Sequence, residues 1–178
     1  STLLADKYKV QRIYDFRGEK EILAAPDVIP GGASHRALSL AFTKEESSKF
    51  DVKTGNERDI VKMLLMYAEH PAVQNMCTNM YDVILFEESS QEVYRQFFAD
   101  LMTLDPADGA ILWHCTQGKD RAGCASAMLL AALGAERDLI VADFTLSKHY
   151  YDPQISRIET TTEAQATALS TLISANPA

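Results

Sequence analysis

A short apolar run, Ala110–Trp113, leads directly into the polar, glycine-containing segment His114–Gly123 and then into an alanine-rich apolar stretch, Cys124–Leu133. Continuous apolar runs of this length are typical of strands that are buried on both faces. Gly134 follows the apolar stretch, at the position where a glycine commonly ends a helix. The pattern therefore predicts a buried strand, a tight loop and a helix in direct succession.

The rest of the chain alternates strand-like and helix-like patterns. Strands are predicted over Val10–Phe16 and Ala37–Phe42, and the polar segment Thr43–Asn56 is expected to be exposed. Helices are predicted to begin at Glu57 and at Pro71. Three further helices are predicted over Glu92–Leu104, Glu136–Tyr150 and Ile158–Ile173. Interleaved strands and helices indicate an α/β fold with a central, mostly parallel sheet flanked by helices.

Composition excludes several function classes. The net charge of −8 argues against a nucleic-acid partner, and no apolar run approaches the ~18 residues that a membrane span needs, so we predict no stable membrane insertion. The cysteines, Cys77, Cys115 and Cys124, form a poor disulfide framework, and no short Cys or His spacing predicts a metal site. Reduced thiols slightly favour the cytoplasm. Because the chain begins at Ser1, secretion stays open.

The loop between the predicted strand and helix has the features of an anion-binding site. Backbone N–H groups and a helix N-terminus together favour a negative ligand. Gly118 and Gly123 let the backbone bend and approach that ligand closely. Cys115 and Arg121 stand at the two ends of the loop, separated by the five residues Thr116 to Asp120. A loop of this length can wrap around a phosphate and return the guanidinium to two of its oxygens.

Cys115 is the candidate nucleophile, because positive surroundings favour the reactive thiolate. It would attack phosphorus in line while Arg121 and the loop amides stabilise the equatorial oxygens. Water would then hydrolyse the phosphocysteine. The reaction needs no metal or other cofactor, since the protein supplies the positive charge. The residues predicted to bind the phosphate or substrate are Thr116, Gln117, Gly118, Lys119, Ala122 and Gly123.

The string His114–Arg121 after a hydrophobic strand resembles the Cys-x5-Arg signature of cysteine-dependent protein tyrosine phosphatases. It is most similar to the bacterial and fungal tyrosine/serine branch, which includes dual-specificity enzymes that also accept phosphoinositides. Tyr14–Arg17 with Glu19 and Glu21 resembles that branch's Asp-Leu-Arg-Ser…Glu segment, and Asp138–Phe144 resembles its helix after the loop. The resemblance spans roughly residues 10–150. It implies a tyrosine-phosphatase-like fold and a phosphomonoester hydrolase.

Two departures from the family pattern stand out. Members carry Thr or Ser directly after the arginine, where the hydroxyl helps the thiolate leave, whereas this chain has Ala122. Slower breakdown of the phosphoenzyme is the hypothesis that follows. The family's Asn-Phe-Arg-Asp-Leu-Gly-Gly stretch has no counterpart, so we expect residues 1–178 to form one phosphatase domain that lacks its N-terminal edge.

The roles of the two charged residues inside the loop stay open. The resemblance suggests that Asp120 is the general acid, but Asp120 could instead buttress the loop or pair with Lys119; Asp51 and Asp82 are weaker candidates. Lys119 is expected to contact phosphate, the alternative being a solvated surface lysine. The expected structural residues are Asp15 and Arg17 as an ion pair, His114 as a hydrogen-bonding partner of the loop backbone, and Cys77 and Cys124 as core residues.

Two function classes remain after these observations. The first is a phosphatase for phosphotyrosine, with phosphoserine, phosphothreonine or phosphoinositides as further substrates. The alternative is a catalytically weak pseudophosphatase that binds phosphorylated partners. Ala122 leaves room for that alternative, while the presence of both Cys115 and Arg121 argues against it. Sulfur- and arsenate-transfer enzymes differ in loop length or in the position of the loop along the chain.

Overall fold

The computed structural model describes residues 2–40, 71–155, 162–163 and 165, with the side chains of 71–78 and 150–155 excepted. The predictions for Thr43–Asn56, for the helix from Glu57, for Asp51 and for the side chain of Cys77 lie outside the described residues, as does nearly all of the helix predicted over Ile158–Ile173.

Three strands and five α-helices alternate along the described part of the chain. In order they are β1 (Arg12–Asp15), α1 (Glu19–Ala24), β2 (Ser34–Ala37), α2 (Pro71–Phe86), α3 (Glu88–Leu101), β3 (Ile111–His114), α4 (Arg121–Ala132) and α5 (Arg137–Ile155). A π-helical turn, Leu3–Lys7, precedes β1, and a 3-10 turn, Pro106–Asp108, precedes β3. None of the helices in the described ranges is both long and apolar enough to cross a lipid bilayer.

The strands form a parallel sheet in the order β2-β1-β3, which confirms the predicted α/β class. Asp15, at the end of β1, lies opposite Ala37 of β2 and His114 of β3. All three strands therefore end at the same edge, where ligand sites of parallel sheets usually form. The loop that follows β3 leaves from that edge.

The second strand was predicted too late in the chain. Ala37–Phe42 was expected, but β2 covers Ser34–Ala37, and Phe42 lies outside the described residues. All four strand residues are exposed and three of them are polar, since β2 is the edge of the described sheet, so hydrophobicity does not mark them. The apolar signal came from Leu38 and Leu40, whose N–H groups bond to the carbonyls of Asp15 and Phe16 beyond the strand.

An aromatic cluster centred on Phe97 of α3 packs beneath the site edge of the sheet. The fully buried Phe97 ring makes edge contacts with Tyr14 and Phe16 around β1 and with Trp113 of β3, at centroid distances of 5.0, 5.3 and 5.8 Å. Aromatic side chains of this size supply much of the apolar burial of a small domain. The cluster holds β1 and β3 in place against α3 and so positions the loops that follow these strands.

The predicted strand–loop–helix unit is confirmed, with a helix that begins earlier than expected. α4 begins at Arg121 rather than Cys124, because the Cys124 N–H already donates to the Asp120 carbonyl at 2.7 Å. Gly134 ends the helix in the left-handed region, with φ of 80°. Gly123 lies against Phe144 of α5, and a Cβ at this glycine would come within 2.9 Å of the ring. Gly123 therefore permits the close crossing of α4 and α5.

Candidate active site

Cys115 lies at the base of the loop, directly after β3, and is only 7% exposed. Its Sγ accepts a hydrogen bond from the Gly118 N–H at 3.3 Å. Gly118 adopts φ of 73°, a conformation that glycine takes without strain, and this turn aims the N–H back at the sulfur. The loop thus curls around the sulfur, as the spacing of the sequence predicted.

His114 holds the loop from the strand side. Its Nδ1 lies 3.1 Å from the Cys115 carbonyl oxygen. A carbonyl can only accept, so Nδ1 carries the hydrogen and donates it. This contact confirms the expectation that His114 orders the loop by bonding to backbone.

Arg121, the first residue of α4, points its guanidinium toward α1. Nη1 and Nη2 donate to the two carboxylate oxygens of Glu21 at 2.7 and 2.8 Å, a bidentate pair. Nη1 also donates to the Phe16 carbonyl at 3.3 Å, and Nη2 to the Thr116 hydroxyl at 3.2 Å. Four contacts from three segments therefore fix the plane of the guanidinium beside the loop.

Glu21 organises this side of the site, and sequence reasoning gave it no role beyond its place in the resembling segment. It accepts the Gly18 N–H at 2.8 Å as well as the Thr116 hydroxyl and the Arg121 fork. Burial alone would raise the pKa of Glu21, but the hydrogen bonds and charge of Arg121 lower it to about 2. Glu21 is therefore ionised throughout the neutral range and keeps Arg121 aligned.

Glu21→Gln is expected to lower the free energy of unfolding by about 1–2 kcal/mol at neutral pH. The loss is no larger because the Glu21 carboxylate is one third exposed, so solvent screens its interaction with Arg121. Folding lowers the pKa of Glu21, so its stabilising contribution is complete above the unfolded value near ~4.3 and is lost as the pH falls toward about 2. In urea unfolding, the difference in the free energy of unfolding between wild type and variant should therefore become smaller as the pH is lowered from about 5 to about 3. Glu19→Gln, at an exposed position of the same helix, is the control and should change little. A difference that does not depend on pH would contradict this account.

Asp120 lies at the N-terminus of α4 and meets two partners. The Tyr81 hydroxyl of α2 donates to its Oδ1 at 2.7 Å, and Lys119 Nζ lies 3.6 Å from the same oxygen. Burial, followed by the charge of Asp120, raises the pKa of Tyr81, so the phenol stays protonated as a donor. Lys119 is 2% exposed, which rules out the alternative of a solvated surface lysine.

Tyr81 was missed by sequence reasoning. The prediction for its helix rests only on the spacing of apolar residues, and that spacing gives a tyrosine no polar role. A buried tyrosine hydroxyl nevertheless needs a partner, and that requirement is the signal that a polar contact exists. Which residue supplies the contact depends on how α2 packs against the loop. Asp82, the neighbouring candidate acid, is exposed on α2.

Asp15 and Arg17 form the predicted ion pair behind the loop. Arg17 Nη2 lies 2.7 Å from Asp15 Oδ2, and Asp15 is fully buried. Burial opposes ionisation of Asp15, yet the hydrogen bonds from the Arg17 side chain and N–H outweigh it, so the pKa of Asp15 lies below its ordinary value. In the described part of the chain, this pair contacts Ala25, Asp27 and His114 rather than the loop between Cys115 and Arg121.

Cys124 and Tyr94 lie beneath the loop in the core. Burial, followed by the charge of Asp120, raises the pKa of the Cys124 thiol to about 12, so this thiol is neutral and inert, as the prediction of a core residue required. Tyr94 is 5% exposed, and its hydroxyl finds no hydrogen-bond partner in the part of the chain that the structure describes. Both cysteines with described side chains are free thiols.

The remaining predicted residues take their places around the same loop. Thr116 and Gly118 lie at the exposed rim, Gln117 is half-buried, and Ala122 is 4% exposed on the inner face of α4. The Ala122 carbonyl accepts from the Ser126 hydroxyl at 3.0 Å. The structure thus gathers Cys115, Asp120 and Arg121 at one loop and places Gly123 at the crossing with α5.

The chain is similar to known tyrosine phosphatases. The model of the tyrosine phosphatase family matches residues 1–178. A tyrosine-protein phosphatase of Nostoc commune is 31% identical over 123 residues, which are 66% of this chain and 41% of that protein. The triple specificity protein phosphatase PtpB of Mycobacterium tuberculosis is 47% identical over 47 residues, 26% of this chain and 17% of that protein. The chain therefore spans less than half the length of these relatives. The match over all 178 residues shows that the chain belongs to the tyrosine phosphatase family.

Proposed function

We propose that this chain hydrolyses phosphotyrosine through a covalent phosphocysteine formed on Cys115. The observation that carries the proposal is the buried sulfur at the base of the loop, bonded to the Gly118 N–H at 3.3 Å, with Arg121 returning to the loop at the start of α4. Amide donors, a helix N-terminus and a guanidinium around one sulfur favour a thiolate and a dianionic ligand.

In the first step the Cys115 thiolate attacks phosphorus from the side opposite the ester oxygen. The S–P bond forms as the P–O bond to the leaving group breaks, and Asp120 gives its proton to the leaving oxygen. In the second step Asp120 takes a proton from water, the water oxygen attacks phosphorus, and the S–P bond breaks to release phosphate. The thiolate and the protonated acid are both restored.

Arg121 would hold the phosphoryl group with the Nε–Nη2 edge of its guanidinium, which Glu21 does not occupy. Glu21 takes one N–H from each of Nη1 and Nη2, while Nε–H donates to none of the described residues. A phosphate at the loop would take Nε–H and replace the Thr116 hydroxyl on Nη2. That side-on geometry supplies two parallel charge-assisted bonds to equatorial oxygens, which strengthen as negative charge builds up in the transition state.

Asp120→Asn is expected to lower kcat for phenyl phosphate or a phosphotyrosine peptide by about 10²–10⁴-fold, because the poor leaving group then departs without its proton. The loss should be much smaller for p-nitrophenyl phosphate, whose leaving group needs little protonation. Steady-state rates on both substrates check this expectation. Asp82→Asn, at an exposed position of α2, is the matched control and should retain both activities. Equal losses on both substrates would assign Asp120 a purely structural role.

Ala122 would make breakdown of the phosphocysteine the slower step, because no hydroxyl at this position helps the thiolate leave. An acid quench during turnover of p-nitrophenyl phosphate should then trap phosphate on Cys115, detectable by mass spectrometry of the peptide. Turnover with no trapped intermediate would weaken this account of Ala122. Binding of a phosphopeptide without any turnover would favour the alternative function, a module that captures phosphorylated partners.

The proposed substrate range includes phosphoserine, phosphothreonine and phosphoinositides. The buried Lys119 in the loop adds a second cation near the phosphate site, which suits ligands with more than one phosphate. The name of the mycobacterial relative, triple specificity protein phosphatase, supports a range wider than phosphotyrosine. Phosphate release from matched phosphotyrosine, phosphoserine and phosphoinositide substrates measures the preference.

A further inference from the structure

Two histidines and two aspartates meet behind the phosphate loop, at the site edge of the sheet. They are Asp15 of β1, His35 of β2, His114 of β3 and Asp27 from the segment between α1 and β2. Each offers one ligand atom, and the four atoms all lie within 4.8 Å of one another. The proposed phosphatase reaction uses none of these four side chains.

The sheet register explains why three of these side chains converge. His35 lies opposite Ile13, and His114 lies opposite Asp15. Alternate residues of a strand share a face, so Ile13 and Asp15 point the same way, and His35 and His114 point with them. Asp27 then closes the fourth side from the neighbouring segment. The arrangement is built on three adjacent strands.

The four separations between a histidine nitrogen and a carboxylate oxygen in this cluster are close to those of a tetrahedral metal site. His114 Nε2 lies 3.0 Å from Asp27 Oδ2 and 3.9 Å from Asp15 Oδ2, and His35 Nε2 lies 3.5 Å from each of the same two oxygens. Zinc binds His nitrogen and carboxylate oxygen at about 2.0–2.2 Å, which sets tetrahedral ligand atoms about 3.4 Å apart. These four separations lie within about half an ångström of that value, and the two remaining separations are within 4.8 Å.

The hydrogen bonds around the cluster leave ligand lone pairs pointing inward. The Nδ1–H of His114 is committed to the Cys115 carbonyl, so in the neutral ring Nε2 presents a lone pair to Asp27 Oδ2. That oxygen is buried and has no hydrogen-bond donor among the described residues. Two lone pairs facing each other at 3.0 Å require a proton or a cation between them.

Arg17 completes the surroundings as an outer partner. It lies 2.9 Å from Asp27 Oδ1 and bonds to both oxygens of Asp15, where Oδ2 accepts from Nη2 at 2.7 Å and shares the Nε–H at 3.1 Å with Oδ1. Outer groups of this kind, together with the His114 contact to a backbone carbonyl, orient the ligands in metal sites. With neutral histidines the two carboxylates and Arg17 sum to −1, a charge that a divalent cation would offset.

We propose that Asp15, Asp27, His35 and His114 bind a divalent transition-metal ion, with Zn²⁺ the best match to the ligand types and spacing. The site joins the ends of all three strands. Through His114 it also holds the carbonyl of Cys115. The proposal revises the expectation of no metal site, since these ligands come from four separate segments and show no short spacing. It stands independently of the proposed hydrolysis.

The test is titration calorimetry of chelator-stripped protein with Zn²⁺ and, separately, with Mg²⁺. We expect one Zn²⁺ bound with micromolar or tighter affinity, weaker binding of Mg²⁺, and a higher melting temperature with Zn²⁺. X-ray absorption should show only nitrogen and oxygen ligands. His35→Ala and Asp27→Asn should each weaken Zn²⁺ binding at least about tenfold. His149→Ala, an exposed histidine of α5, is the control and should bind as the wild type does.

Three results would overturn the proposal. They are no Zn²⁺ binding, a sulfur ligand near ~2.3 Å that places the ion on Cys115, and unchanged affinity in both His35→Ala and Asp27→Asn. Melting curves in chelator establish that each variant folds before its affinity is compared. Cys115→Ser should keep the same Zn²⁺ affinity, which separates this site from the phosphate loop.

Discussion

Cys115→Ser is expected to lower kcat for p-nitrophenyl phosphate by about 10⁴-fold or more, because a serine hydroxyl in the same loop is not ionised and cannot act as the nucleophile. Cys115 is 7% exposed, and among the described residues its sulfur accepts from the Gly118 N–H, so the substitution changes little else. The variant should still bind phosphate or vanadate, since the loop amides and Arg121 remain. Binding with turnover lost would place the defect in the chemistry.

Cys124→Ala is the matched control for the nucleophile. Cys124 is 4% exposed in the same region, and its thiol has a pKa raised to about 12 by burial, so it supplies no thiolate at neutral pH. The control should keep its turnover and should be labelled by iodoacetate at Cys115, whereas Cys115→Ser should lose that label. Full turnover in Cys115→Ser, or loss of turnover in Cys124→Ala alone, would show that Cys115 is not the nucleophile.

Arg121→Lys is expected to lower kcat/KM by about 10³-fold, although the charge is kept. The guanidinium makes a two-point contact with Glu21 and offers a second edge to the phosphoryl oxygens, and an ammonium cannot do both. The loss should fall mainly on kcat, because these bonds strengthen as charge spreads over the equatorial oxygens. Initial rates over a range of substrate concentration separate kcat from KM.

The control for the arginine is Arg137→Lys, at an exposed position of α5. It should leave kcat/KM unchanged. If Arg121→Lys instead raised KM alone, the arginine would contribute binding that is equal in substrate and transition state. If it had no effect, the loop amides would have to hold the phosphate without the guanidinium.

The strand–loop–helix unit could be predicted from the sequence because its signals are local. Ala110–Trp113 marks the strand, the Cys115 to Arg121 spacing marks the loop, and Gly134 marks the helix end. β2 was displaced in the prediction, because an edge strand with polar residues does not show the apolar pattern on which the prediction relied.

The contacts that complete the site could not be read from spacing. Tyr81 reaches Asp120 from another helix, and Glu21 reaches Arg121 across 100 residues of sequence. Both contacts depend on how helices pack against the sheet, and a single sequence carries no direct signal for such packing. The cluster of Asp15, Asp27, His35 and His114 is hidden because it depends on the register of three strands that are far apart in the sequence.

The Glu21–Arg121 contact also bears on how the proposed activity would be lost on heating. Glu21 belongs to a helix of only six residues, whose Leu23 is 75% exposed, so little buried surface holds that helix in place. Short, weakly packed segments open locally at lower free energy than the whole domain. Fraying of this helix would release the guanidinium from its alignment while the sheet stays intact. Inactivation would then precede the loss of secondary structure.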